Sequence, residues 1–328
     1  MRTEPKGYGW LSTQLFFDGE LYGAEADRIL FGVVEPLSVL CREQGWARRF
    51  FFIRYSNLGH HIRFRLYGPR EALEHQVKPR LQAQIDADPR IVRTTWEAYE
   101  PETFRYGGRY GVALAERVFQ DSSTSALALL RRVDPERRST RLGKGLLATL
   151  VMLHTFCDSR QAAAQLIAAY GSSYLAAMVP DDDERHAMVE TFENGYDRQA
   201  ERLAPYVETA WSSLVAGEPL TDALDRYREQ LQETRRRMMK LASAGRLRRE
   251  DTVFETFDEA VHHVVPSYIH MMNNRLGVTT QEESYLSLVL FRTLHADALA
   301  PAAGSDPTDP SSRSEETSNA HQTERSFA

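Results

Sequence analysis

The segment Gly59-His60-His61-Ile62-Arg63-Phe64-Arg65-Leu66 alternates without a break. As a β-strand it sends Ile62, Phe64 and Leu66 to one side and His61, Arg63, Arg65 and Tyr67 to the other. Arg63 and Arg65 then stand roughly 6–7 Å apart, at a rise of about 3.3 Å per residue. Two planar guanidiniums at that spacing suit two carboxylates, or one carboxylate gripped from both ends. A solvated outer face gives the same pattern, because antiparallel sheets are commonly wet on one side.

Two further stretches carry groups of the same kind. Tyr99-Glu100-Pro101-Glu102-Thr103-Phe104-Arg105-Tyr106-Gly107-Gly108 places Arg105 on a loop at a strand end, where Pro101 stops the ladder and the glycines allow close backbone approach. The bland reading of Arg105 is a surface cation paired with Glu100 or Glu102. Pro266 to Gly277 reads as a helix with His270 one turn before Asn274, then Arg275 and a Gly stop. A histidine is a residue type suited to proton transfer, although a lone histidine in an apolar helix is more often a satisfied core residue. His262, His263 and His270 lack the HExxH spacing of a zinc helix. Tyr106-Gly107-Gly108-Arg109-Tyr110-Gly111 is not GxGxxG, so no nucleotide site is expected. Cys157 near His154 has no third group to complete a nucleophilic arrangement.

These groups need elements to hold them. Strands are expected at Trp10–Phe17, Arg49–Tyr55, His60–Tyr67 and Ile91–Tyr99. Helices are expected over Gly23–Gln44 and from Pro69 to Ile85. Ser56-Asn57-Leu58-Gly59 is a short turn that folds the second and third strands into a hairpin. The order β-α-β-β-α-β predicts an α+β protein with a ferredoxin-like layer over residues 8–108. Both its helices cover one face, and the Arg63 and Arg65 face is left for something else to cover. From 109 to 298 nearly every segment has helical spacing: Gly111–Phe119, Ser125–Arg132, Arg141–Cys157, Ser159–Ala177, Asp183–Trp211, Pro219–Ala244 and Thr252–Met272. Residues 299–328 are rich in Ser, Thr, Asp, Glu and Pro and read as a disordered tail.

Composition narrows the classes. The 328 residues carry a net charge of −6, which argues against a protein that works mainly on nucleic-acid phosphates. Basic residues nevertheless gather at 48–65, 131–144 and 235–249. Two cysteines in apolar helical patterns give no disulfide framework and point to a reducing compartment. There is no signal-peptide core at the N-terminus and no run of about 18 apolar residues, so a cytoplasmic protein is expected.

Four ordered motifs together resemble the C-terminal domain of class I lanthipeptide dehydratases, which also occurs as stand-alone "thiopeptide-type bacteriocin biosynthesis" proteins. They are Phe50-Phe51-Phe52-Ile53-Arg54-Tyr55, the Gly59–Leu66 strand, Tyr99-Glu100-Pro101-Glu102 with Arg105-Tyr106-Gly107-Gly108, and His270-Met271 with Asn274-Arg275-Leu276. The resemblance runs from about Tyr8 to Ala298. In that family one domain glutamylates Ser or Thr of a precursor peptide from glutamyl-tRNA. The C-terminal domain then eliminates glutamate to leave dehydroalanine or dehydrobutyrine. The resemblance implies Arg63, Arg65, Arg105 and His270 as the elimination set; His61, Tyr67, Tyr106, Asn274 and Arg275, beside them on the strand face, the loop and the helix, are the substrate-binding candidates. It implies a precursor peptide with a leader and a separate glutamylating protein as partners, without direct nucleic-acid or membrane binding. It leaves the oligomeric state open, a homodimer included.

No metal and no organic cofactor are expected, since β-elimination needs only a base, a charge sink and orientation. Two alternatives stand beside elimination. Stand-alone members also form pyridines by a formal aza-[4+2] cycloaddition that releases the leader. A non-catalytic scaffold would instead bind a leader at an exposed sheet edge.

Overall fold

The computed structural model describes residues 7–134 and 137–296. The expected tail at 299–328 lies outside the described residues. Tyr8–Phe17 (β1) leads into Ala24–Ile29 (α1), which continues through a π-turn at Leu30–Val34 into Glu35–Glu43 (α2). Arg49–Tyr55 (β2) and His61–Pro69 (β3) follow as a hairpin. Arg70–Ala72 (α3) passes through a second π-turn into Lys78–Ala87 (α4), and Ile91–Trp96 (β4) completes the layer. The strands pair antiparallel in the order β2-β3-β1-β4.

Register fixes the two faces. Leu11, Leu15, Phe50, Phe52, Ile62, Phe64 and Leu66 are buried in the core with Ile29, Leu30, Val33, Leu37, Leu73, Val77 and Leu81 of the helical segments between the strands. On the other face Arg63 sits between Gln14 and Ile53, and Arg65 between Ser12 and Phe51. That face meets the helical remainder of the chain. These helices are Gly108–Leu130 (α5), Arg138–Phe156 (α6), Arg160–Met178 (α7), Asp182–Asp197 (α8), Ala200–Ala216 (α9), Asp222–Ser243 (α10), Phe257–Leu276 (α11) and Thr280–Ala296 (α12).

Some boundaries differ from the sequence reading, for physical reasons. Gly111–Phe119 and Ser125–Arg132 fuse into α5, because Ser122 and Ser123 are buried and Ser122 bonds back to the Val118 carbonyl, so neither breaks the helix. Asp183–Trp211 divides into α8 and α9 at Arg198–Gln199. A two-residue hairpin, Arg248–Arg249 (β5) with Thr252–Val253 (β6), precedes α11.

The helical part is anchored to the sheet along the free edge of β2. The Phe52 N–H donates to Ser123 Oγ of α5 at 3.3 Å. The Arg54 N–H donates to Asn274 Oδ1 of α11 at 2.9 Å, and Asn274 Nδ2 returns a bond to the Arg54 carbonyl, also 2.9 Å. A side-chain amide thus stands in for a neighbouring strand, satisfying backbone groups that an edge would leave bare. Below it the buried Arg54 and Arg141 share the Asp27 carboxylate. Arg54 Nε also donates to the Arg275 carbonyl, and Arg141 Nη1 to that of Leu276, so both cations cap the C-terminus of α11.

Asn274→Leu should leave two buried backbone groups of Arg54 unpaired. At about 1–3 kcal/mol for each unsatisfied group, urea unfolding should show a loss of roughly 2–6 kcal/mol. An unchanged midpoint would show that the clip carries no stability.

Candidate active site

Four of the singled-out residues, Arg63, Arg65, Arg105 and His270, line one cavity of about 230 Å³ between the sheet face and α11. Tyr55, Tyr99, Tyr106, Glu100, Glu102 and Asn274 also line it.

The two strand arginines are held by aromatic rings and have no carboxylate partner among the described residues. The Arg63 guanidinium lies 3.6 Å from the centroid of Tyr55, and its Nε is buried without a hydrogen-bond partner. The Arg65 guanidinium lies 4.6 Å from the Tyr99 ring and 5.2 Å from Phe51, with Nε 3.4 Å from Ser12 Oγ. Ring faces steady a cation while leaving its N–H donors free. Burial pushes the Arg65 guanidinium down to about 10, so it remains charged near neutral pH in a place that disfavours an isolated charge. An anion in the cavity would relieve that cost.

Arg105 sits on a 3-10 turn, Thr103–Tyr106, after β4. Its Nε is 2.8 Å from the Glu102 carboxylate and both side chains are half exposed. The surface pairing considered from sequence is therefore present, and Arg105 lines the cavity as well. Tyr106 is buried, stacked on Tyr268 at 18° between planes, and burial raises its phenol above the ordinary range.

His270 projects from α11. Its Nδ1 is 3.1 and 3.2 Å from the two oxygens of Glu283, a residue of α12 that is 1% exposed. The Tyr170 phenol donates to the same carboxylate. Tyr174 packs on the imidazole, with centroids 4.9 Å apart. With Nδ1 facing the Glu283 carboxylate, which accepts from it, Nε2 is the nitrogen left available. Burial, then the Glu283 charge, raises the Tyr170 phenol far above its ordinary value, which keeps it a donor.

Glu283, Tyr170 and Tyr174 were not visible from sequence. The one local signal is the pair Glu282-Glu283 after Thr279. Glu282 and Thr279 exchange side-chain and backbone bonds as a capping box. The cap accounts for Glu282 and leaves Glu283 without a role at the helix surface.

Other candidates fall elsewhere. His61 is buried against Phe16 and Tyr55, with Nδ1 on the Gly59 carbonyl at 2.9 Å. Tyr67 lies beneath the Arg49 guanidinium at 4.3 Å, in a neighbouring groove. Arg275 is fully buried, with Nε on Ser123 Oγ at 3.0 Å and Nη1 on the Met271 carbonyl at 2.8 Å. Asn274 reaches the cavity wall, but its amide is spent on Arg54. Cys157 is not a thiolate candidate, since burial pushes its thiol up to about 12. His262 turns to Asp258 and His263 to the Phe104 carbonyl, away from His270. No helix among the described residues is long and apolar enough to cross a membrane.

A half-open cavity with two cations that form no ion pair among the described residues, a third paired to Glu102 at its rim, and a carboxylate-held imidazole can bind an anion and move a proton beside it. Residues 10–294 match the model of the lantibiotic biosynthesis dehydratase C-terminal family, and the chain belongs to that family. Three solved structures share the fold. One is the crystal structure of TsrL, at TM-score 0.70 and 16% identity, over 89% of this chain and 95% of that one. Another is the pyridine synthase TbtD from thiomuracin biosynthesis, at 0.69 and 18%, over 88% and 98%. The third is the tRNA-dependent lantibiotic dehydratase MibB from Microbispora sp. 107891, at 0.63 and 23%. It is matched over 91% of this chain, which spans only 29% of MibB. Curated protein sequences give no match.

The His270 geometry yields a direct check. Nitrogen–proton correlation spectra should show the neutral ring protonated at Nδ1 in the native protein. In Glu283→Ala it should become a mixture of the two tautomers. An unchanged Nδ1–H form in the variant would show that Glu283 does not orient the ring.

Proposed function

We propose that the protein eliminates glutamate from glutamylated Ser or Thr of a ribosomally made precursor peptide. The observation that carries this reading is the pair Arg63 and Arg65, two guanidiniums without carboxylate partners in the cavity that His270 also lines. In the reaction a base takes the Cα proton, the Cα–Cβ double bond forms, and the Cβ–O electrons leave with the glutamate carboxylate. Negative charge develops first toward the neighbouring carbonyl and then on the departing group. In this reading Arg63 and Arg65 hold the glutamyl anion and Arg105 meets charge at the rim, each as a preorganised donor. His270, with Nδ1 committed to Glu283, offers Nε2 for the proton.

The substrate arrives already glutamylated, so a tRNA-dependent glutamylating activity acts first. We read the sheet and its two helical segments as a ferredoxin-like layer, on the strand order β2-β3-β1-β4 and the β-α-β-β-α-β sequence. The layer spans residues 8–108 and the helical part begins at 109.

A second reading is pyridine formation. It is favoured by the near-complete mutual coverage with TbtD, a pyridine synthase. The two separate by mass spectrometry. A peptide carrying glutamyl-Ser should lose one glutamic acid per site. Arg65→Ala should lower kcat about 10²–10³-fold with little change in KM, because the lost contact acts mainly in the transition state. An untouched glutamyl peptide, together with a pyridine macrocycle and free leader from a bis-dehydroalanine peptide, would replace elimination by cyclisation.

A further inference from the structure

Many arginines among the described residues pair with a carboxylate or lie on a ring in the core, and one clustered surface group makes no ion pair. Arg109, in the first turn of α5, and Arg246, Arg248 and Arg249, on the segment between α10 and α11, are all exposed. None makes an ion pair among the described residues. Arg109, Arg246 and Arg248 gather around Tyr110, and Arg249 follows Arg248 on the hairpin strand. Arg109 Nη2 donates to the Tyr110 phenol at 2.7 Å, with its guanidinium 4.6 Å from the ring. The Arg246 guanidinium lies 5.2 Å from the same ring. The Tyr110 phenol is held below its ordinary value, first by the Arg109 hydrogen bond and then by the Arg109, Arg246 and Arg248 charges. Glu250 and Asp251 occupy the turn of the same hairpin without pairing to these arginines.

The group adjoins the cavity. The Arg248 N–H donates to the Gly107 carbonyl at 3.2 Å, and the Arg248 side chain lies against Gly108, where a Cβ would meet its Cγ at 2.9 Å. Gly107 directly follows the 3-10 turn that carries Arg105. Phe104 of that turn is 53% exposed, with the Arg105 guanidinium 5.5 Å from its ring. A chain lying across the rim would therefore meet a cation, an exposed ring and then the cations around Tyr110.

Folding gives no reason to crowd like charges, which repel. In a molecule of net charge −6 such a patch attracts an anionic partner. A nucleic acid would call for a longer basic track than four side chains on an acidic protein. We propose that the Arg109, Arg246, Arg248 and Arg249 surface docks an acidic stretch of the peptide substrate, adjacent in sequence to the residue held in the cavity. The inference rests on the peptide reading above.

Fluorescence anisotropy with three labelled probes tests it. The probes are a twelve-residue peptide with four Glu, the same peptide with those Glu changed to Gln, and a twelve-nucleotide single-stranded RNA. The Glu peptide should bind about ten-fold tighter than the Gln peptide at low salt, and this advantage should fade as salt rises. Arg246→Glu/Arg248→Glu should abolish it, while Arg65→Ala retains it. The same double variant should eliminate glutamate from a short glutamylated peptide without acidic residues as fast as the native protein. Loss of the docking surface alone is thereby distinguished from failure of the elimination reading. Equal affinity for the Glu and Gln peptides, an unchanged double variant, or binding of the RNA in place of the Glu peptide would overturn the proposal.

Discussion

The free edge of β2 is the constraint on which the rest of the architecture depends. An unpaired edge invites another strand. Here Ser123 and Asn274 take the positions of that strand's hydrogen-bonding groups, one from α5 and one from α11. The same clip sets the register of α11 against the sheet. Asn274 and His270 are one turn apart, so fixing the amide on Arg54 aims the imidazole toward the face that carries Arg63 and Arg65. Asp27, shared by Arg54 and Arg141, secures the C-terminal end of the helix. Such a buried cluster adds little net stability, yet breaking it leaves bare charges, so it selects one packing over its neighbours.

Aromatic support explains how the cavity keeps its cations available. A carboxylate beside Arg63 or Arg65 would neutralise it. Tyr55, Tyr99 and Phe51 hold the guanidiniums by their faces and leave the N–H groups unspent. The imidazole is treated in the opposite way. Glu283 engages one nitrogen and Tyr170 engages Glu283, which fixes the ring and leaves one nitrogen for chemistry. Arg63 and Arg65 thus form no ion pair among the described residues, although Glu100 and Glu102 also line the cavity, whereas His270 has Glu283 as its partner.

Much of this was legible in the chain. Alternation in His61–Tyr67 gives the arginine face, and Ser56-Asn57-Leu58-Gly59 gives the hairpin that presents it. Alternation does not say how far a cavity extends. β3 is nine residues long, about 30 Å at 3.3 Å per residue, so His61 and Tyr67 share the face yet lie outside the cavity. The helix motif was read as one functional unit, but its members divide. His270 faces the cavity, Asn274 clips the sheet edge, and Arg275 turns into the core between Ser123 and Phe119. Helical spacing gives neighbours on a face and not what packs on it. Glu283 stayed hidden for the same reason, because its partner lies on the preceding helix across the Gly277 turn.

The central claim is that the strand arginines and His270 act on one anion in one cavity. A crystal structure with a peptide in which a glutamyl amide replaces the labile ester tests it most directly. The account predicts a glutamyl carboxylate bonded to Arg63 and Arg65, with His270 Nε2 within hydrogen-bond reach of the adjacent Cα proton, about 3 Å. A glutamyl group bound elsewhere, or in the cavity with its carboxylate away from both arginines, would contradict it.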